Sequence, residues 1–207
     1  PSVKDISEAD TRKIFIDMML REAGWEIIEE NGLVVPGKAC VEIKLEGMPN
    51  AEGYGFADYI LFGRDGKPLA VIEAKKASRS LEVGRQQAEL YAQCCKQRYG
   101  VLPVIYYTNG LETKVIDGLG YPPRALYSFH SLDDLERLIQ KRSRQDIKDM
   151  NGDPNIAGRD YQLTAVKKVC EHFNTKHRRA LLVMATGTGK TRTAISLVEL
   201  LTRNNWV

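Results

Sequence analysis

No apolar run in the 207 residues is longer than the six from Ala180 to Ala185, whereas a membrane-spanning helix needs about twenty. A membrane span is therefore not expected. Cysteine is scarce: Cys40, Cys94, Cys95 and Cys170 are too few and too irregularly spaced for a disulfide framework or a zinc site. His130, His172 and His177 do not fall at ligand spacing with carboxylates or cysteines, which argues against a histidine-based metal centre. The opening PSVKDISEAD lacks the apolar core of a secretory signal. A reducing cytoplasm is the expected setting. A large excess of one charge sign is missing too: the net charge is only +3, so indiscriminate binding to nucleic acid is not demanded. Residues 1–142 carry 19 Lys/Arg against 21 Asp/Glu, and residues 143–207 carry 11 against 6, which leaves room for a local basic surface in the second part.

What is present is an ordinary globular composition, 43% hydrophobic and 28% charged. The length suits one large domain or one and a half small ones. Ser7-Glu8-Ala9-Asp10 fits a capping box ahead of Ile14, Phe15, Met18 and Met19 at helical spacing, with Gly24 ending that helix. Residues 40–45, 56–62 and 68–76 read as strands, the last two joined across Asp65-Gly66, a strong two-residue hairpin signal. A helix is expected over 80–97, strands over 102–108 and 112–116, and a second capping box at Ser131–Asp134 opens a helix to about residue 142. Helix, three strands, helix, two strands, helix is an α/β plan around one mixed sheet. Residues 143–158 lose hydrophobic periodicity and gather Gly, Pro, Asn and Asp, so a linker is placed there between domains 1–142 and 159–207.

The second part carries a phosphate-loop signature. A buried-type strand over 180–184 runs into Met184-Ala-Thr-Gly-Thr-Gly-Lys-Thr191, followed by an apolar helix with Ala194, Ile195, Leu197, Val198 and Leu201. Gly187 and Gly189 let the backbone N–H groups, including that of Thr188, turn toward phosphate oxygens. Lys190 is expected to reach the β/γ-phosphates and Thr191 to ligate Mg²⁺. Met184 stands where the strict pattern has glycine. Upstream, Arg159-Asp160-Tyr161-Gln162 opens a helix and resembles the Q motif of superfamily 2 helicases and translocases, which implies that Gln162 reads the edge of adenine. The remaining motor motifs are expected beyond Val207, so this stretch is not expected to hydrolyse ATP by itself.

The hairpin arithmetic draws attention to the first part. With a two-residue turn, Arg64 faces Lys67 and Asp58 lies opposite Glu73, while Lys75 shares a side with Glu73. Opposed carboxylates repel unless something positive lies between them, and a divalent metal fills that role. A solvated face of alternating Glu and Lys has the same spacing, so the pattern alone leaves both readings open. Gln87 and Tyr91 sit four apart on one helix face.

Asp58, Glu73-Ala74-Lys75 and the Gln87-x-x-x-Tyr91 spacing together resemble the PD-(D/E)xK nuclease domain of type I restriction enzyme R subunits, with Ala57 in place of the motif's proline. The stretches Tyr107–Gly110 and Ala23-Gly24-Trp25 look familial as well. The resemblance implies a restriction-endonuclease-like mixed sheet flanked by helices, followed by the first elements of a RecA-like P-loop domain. It implies Mg²⁺ on Asp58 and Glu73, Lys75 assisting the nucleophile or transition state, and Gln87 and Tyr91 addressing the scissile strand or bracing the site. Glu8 is a further candidate. ATP with Mg²⁺, double-stranded DNA, and separate methyltransferase and specificity subunits are the implied cofactors and partners. Two other readings stay open on the residues alone: a non-cleaving nuclease fold that docks DNA or partner subunits, and a metabolic P-loop enzyme with a structural N-terminal domain.

Overall fold

The computed structural model describes residues 15–75, 81–109, 111–143, 146–147 and 150–207. The first capping box with Glu8, the expected helix onset at Ser80, and Gly110 lie outside the described residues. Two compact units divide the chain, Pro1–Ile139 and Gln140–Val207.

The first unit is a seven-stranded mixed sheet whose strands lie side by side in chain order: β1 (Ile27–Ile28), β2 (Ala39–Glu46), β3 (Tyr54–Phe62), β4 (Pro68–Ala74), β5 (Val104–Thr108), β6 (Thr113–Ile116) and β7 (Arg124–Leu126). The pairs β1–β2 and β4–β5 are parallel and the others antiparallel. Among the described residues, helices α1 (Asp17–Glu22), α2 (Leu81–Tyr99) and α3 (Leu132–Gln140) accompany the sheet. The sequence anticipates five of the seven strands. The outermost two, β1 and β7, are too short to display a period of two.

Strand alternation builds a core on each face of the sheet. On one, Ile60, Phe62, Val71, Ile105 and Tyr107 pack with Ala88, Tyr91, Ala92 and Cys95 of α2. On the other, Tyr59, Leu61, Ile72, Val104 and Tyr106 pack with Leu20 of α1 and Leu135 of α3. Cys40, Cys94 and Cys95 belong to the α2-side core, where burial pushes the Cys95 thiol up to about 12, and Cys170 is buried in the second unit; all four are free. His130 serves structure too, its Nδ1 lying 2.5 Å from the Tyr106 hydroxyl.

The β3–β4 connection differs from the two-residue turn that the sequence suggests. The Gly63 N–H donates to the Lys67 carbonyl at 2.8 Å and the Gly66 N–H to the Gly63 carbonyl at 2.9 Å, with Gly66 at φ +76°. This is a three-residue loop that ends on a left-handed glycine. Arg64 does not face Lys67; it reaches Asp133 at 2.5 Å and Glu136 on α3. Phe62 consequently pairs with Pro68, one residue out of the expected register, and a bulge beside Leu61 restores it. Leu69 is the extra residue, next to a proline that cannot donate to the ladder. The two departures cancel, and Leu61–Ala70, Ile60–Val71 and Tyr59–Ile72 pair as the arithmetic expects.

The second unit holds α4 (Asp160–Asn174) and α5 (Lys190–Arg203), packed through Val166, Cys170, Leu200 and Leu201 with Ile147. The expected buried strand over 180–184 is not formed: Leu181 and Val183 are 86% and 88% exposed. A strand needs a neighbouring backbone to pair with, and among the described residues the second unit has no other strand. The same lack shows on α5, which buries Thr193, Ser196 and Leu200 and leaves Ile195 and Val198 exposed. No described helix is long and apolar enough to cross a membrane.

Candidate active site

Asp58 stands at a break in strand alternation. Ala57 and Ile43 face the α2 side of the sheet, whereas Tyr59 and Val41 face the other side. Residues two apart on a regular strand share a face, so both strands switch faces between these pairs. Glu42, on β2 between Val41 and Ile43, adopts φ +50°, the local conformation that makes the switch. The β3–β4 ladder ends at Tyr59–Ile72, so Asp58 sits where β3 parts from β4. The continuous pairing that would set Asp58 opposite Glu73 is therefore interrupted, and Asp58 Oδ2 accepts the Ala74 N–H instead, at 2.7 Å.

Glu73 comes from the middle of the sheet and is only 2% exposed. A buried carboxylate costs several kcal/mol without a compensating charge. Lys75 supplies that charge, its Nζ donating to Glu73 Oε1 at 2.6 Å. Backbone pairing fixes the lysine: its N–H donates to the Thr108 carbonyl at 2.8 Å, extending the β4–β5 contact one residue past Ala74. The expected repulsion between two carboxylates is thus met by an ammonium on one and a backbone amide on the other.

Helix α2 brings Gln87 and Tyr91 to the same place. Gln87 Nε2 donates to the Tyr91 hydroxyl at 2.9 Å, as the four-residue spacing anticipates. Burial pushes the Tyr91 phenol above the usual tyrosine range; the Gln87 hydrogen bond opposes the rise, Glu73 and Asp58 add to it, and Lys75 opposes it. The start of the same helix lies against the Glu73–Lys75 pair, since a Cβ at Gly84 would meet Lys75 Cγ at 3.2 Å and Glu73 Cγ at 3.8 Å. Among the described residues no group of three or more His, Cys, Asp or Glu gathers into a metal cage. Two carboxylates with backbone carbonyls and water nevertheless form a hard-oxygen donor set, and Mg²⁺ typically takes one or two protein carboxylates.

In the second unit the glycine loop precedes a helix. Gly187 and Gly189 adopt φ +79° and +84°, and α5 starts at Lys190. The Thr188 carbonyl accepts from Gln162 Nε2 at 2.8 Å and from the Tyr161 hydroxyl at 2.7 Å. Lys190 Nζ rests on the Ala185 carbonyl at 3.2 Å, and Thr191 lies exposed in the first turn of α5. A Cβ on Gly189 would overlap Gln162 Nε2, so a side chain there would displace the end of Gln162. Gln162 is 2% exposed, and its Oε1 is buried without a hydrogen-bond partner among the described residues.

Sequence reasoning passed over the Ala74 N–H, the Thr108 carbonyl and Gly55, which lies against Tyr91. Main-chain groups carry no residue signature. The glycine inside a strand was a usable signal of close backbone approach.

Comparison with known proteins gives concordant matches for the two units. A family model described as "Type I restriction enzyme R protein N terminus" matches residues 42–124, and one described as "Type III restriction enzyme, res subunit" matches residues 155–207. The chain is 28% identical to the type I restriction enzyme EcoKI endonuclease subunit of Escherichia coli (strain K12), over 94% of this chain and 21% of that protein. It is 30% identical to the type I restriction enzyme EcoAI endonuclease subunit of Escherichia coli, over 95% of this chain and 25% of that protein. A solved fragment described as an HsdR subunit of a type I restriction enzyme from Vibrio vulnificus YJ016 superposes with a TM-score of 0.50 at 27% identity, covering 97% of this chain and 39% of that one. The chain spans about a fifth to a quarter of the length of the curated relatives it matches.

Proposed function

The chain belongs to the family of type I restriction enzyme R subunits, and from that premise we propose that its first unit hydrolyses DNA phosphodiester bonds as the nuclease of an ATP-dependent restriction enzyme. The observation that carries the reading is the convergence of Asp58, Glu73 and Lys75 where β3 parts from β4, with Gln87 and Tyr91 beside them. In this reading residues 1–142 are the nuclease domain, 143–158 a linker, and 159–207 the opening of the motor domain. Asp58 and Glu73 would hold Mg²⁺, aided by a backbone carbonyl near Ala74. When bound, the ion supplies charge neutralisation for the phosphate and a more acidic water. Lys75 would stabilise the negative charge that builds on the phosphate or orient the attacking water. Gln87 and Tyr91 serve the same site.

The second unit would hold ATP with Mg²⁺. The N–H groups of Gly187, Thr188 and Gly189 would hold the phosphates, Lys190 would supply a positive charge to their oxygens, and Thr191 would supply a ligand to the ion. The buried acceptor Gln162 Oε1 supports adenine recognition, because it matches an exocyclic amine donor. Double-stranded DNA, methyltransferase and specificity subunits as partners, and a cytoplasmic site of action complete the proposal.

The test is mutational, in the full subunit assembled into its complex. Asp58→Asn, Glu73→Gln and Lys75→Ala should each abolish DNA cleavage while ATP hydrolysis and translocation continue. Lys190→Ala should stop ATP hydrolysis and, through it, cleavage. Continued cutting by the Asp58 and Lys75 variants would overturn the catalytic assignment. Wild-type protein that translocates but never cuts would favour a non-cleaving docking module.

A further inference from the structure

Tyr91 meets the backbone of Gly55, three residues ahead of Asp58 on β3. A Cβ at position 55 would fall 2.8 Å from Tyr91 Cε1, 2.9 Å from its hydroxyl and 3.3 Å from Cζ. Real side chains do not approach so closely, so any residue other than glycine forces the ring or the strand to shift. Gly55 is not among the glycines with positive φ, so its freedom of backbone conformation is not what the position needs. The ring has little room to yield. Tyr91 is 3% exposed within the α2-side core, and Gln87 holds its hydroxyl. Ahead of Asp58, β3 has left its β4 ladder; β2 steadies one edge through the Leu45–Gly55 pair, and Tyr91 steadies the strand's face.

We infer that Gly55 is a positioning residue: it is the seat on which the Gln87–Tyr91 pair clamps β3, and the clamp sets where the Asp58 carboxylate lies relative to Glu73. The inference rests on the nuclease reading above and gives Tyr91 a bracing task in place of contact with the DNA strand. The arrangement is economical in residues, since one ring on one glycine fixes the strand just before it changes face. A side chain at position 55 would transmit its displacement to Asp58 through only two intervening residues.

The experiment compares Gly55→Ala, Tyr91→Leu and the double variant in the full subunit assembled into its complex. DNA cleavage, ATP hydrolysis and, by calorimetry without nucleotide, Mn²⁺ affinity are measured. Gly55→Ala should lower cleavage roughly 100-fold, chiefly in kcat rather than KM, as expected for a misplaced reacting group. It should weaken Mn²⁺ binding and leave ATP hydrolysis intact. The double variant, in which the overlap is relieved, should cut no more slowly than Tyr91→Leu alone, because both changes break one clamp. Gly55→Ala cutting like wild type overturns the inference. A double-variant loss equal to the product of the single losses does so too, since it is the result expected if Tyr91 acts on DNA directly. Asp58→Asn, run alongside, separates the levels: if it still cuts, the nuclease reading has failed, and if it is dead while Gly55→Ala is normal, only the clamp has.

Discussion

Glu73 and Lys75 show how a charged site is tolerated inside a sheet. With Glu73 at 2% exposure and the Lys75 side chain at 12%, the ion pair between them offsets part of the cost of taking both charges out of water. Removing one partner takes this ion pair from the second. Lys75→Met should therefore destabilise the first unit by about 3 kcal/mol in denaturant unfolding. The double variant Lys75→Met, Glu73→Gln should recover most of that loss, because neither buried charge is then left. Recovery would separate the stability role of the pair from its catalytic one, since the double variant remains unable to cut. Asp58 differs in kind. Its Oδ2 takes a backbone N–H, and its position depends on a switch of strand face that no side-chain pattern announces.

At the level of elements, short-range signals served well wherever they rested on local chemistry. Ser131 caps the helix as its spacing implies: the Asp134 N–H donates to Ser131 Oγ at 3.2 Å, and the Ser131 hydroxyl in turn donates to Asp134 Oδ2 at 2.8 Å. Ser131→Ala should cost about 1 kcal/mol of unfolding free energy, measured by denaturant titration, with Ser131→Thr losing less. The cap matters beyond α3 because that helix carries Asp133 and Glu136, which hold Arg64 in the β3–β4 loop. The helical pair Gln87 and Tyr91 was likewise legible, since four residues bring two side chains to one face. The hairpin was legible only in outcome. Its turn is longer than the Asp65-Gly66 signal suggests, and a bulge the sequence does not mark returns the strands to register.

For the whole molecule, the two units differ in how much of their apolar surface is covered. The first closes both faces of its sheet with helices. The second leaves Leu181, Val183, Ile195 and Val198 exposed, a set of apolar side chains large enough to seek cover. The 207-residue chain by itself should therefore raise the fluorescence of an apolar-surface dye. Val183→Lys with Ile195→Lys should lower that signal while leaving the unfolding of the first unit unchanged. A dye signal indifferent to both substitutions would place the exposed apolar surface elsewhere.

The sequence by itself determined the α/β class, the strand that carries Asp58, the Glu73-Ala74-Lys75 run, the Gln87–Tyr91 pair and the glycine loop before α5. Each of these is written in periodicity or residue type within a few positions. Tertiary structure alone decided that Asp58 leaves the ladder to meet the Ala74 amide, that Thr108 anchors Lys75, and that Tyr91 rests on Gly55. The 180–184 run stays unpaired for a related reason. A strand's propensity is local, but its hydrogen bonds, its face and the backbone groups it meets belong to whichever neighbours the fold supplies.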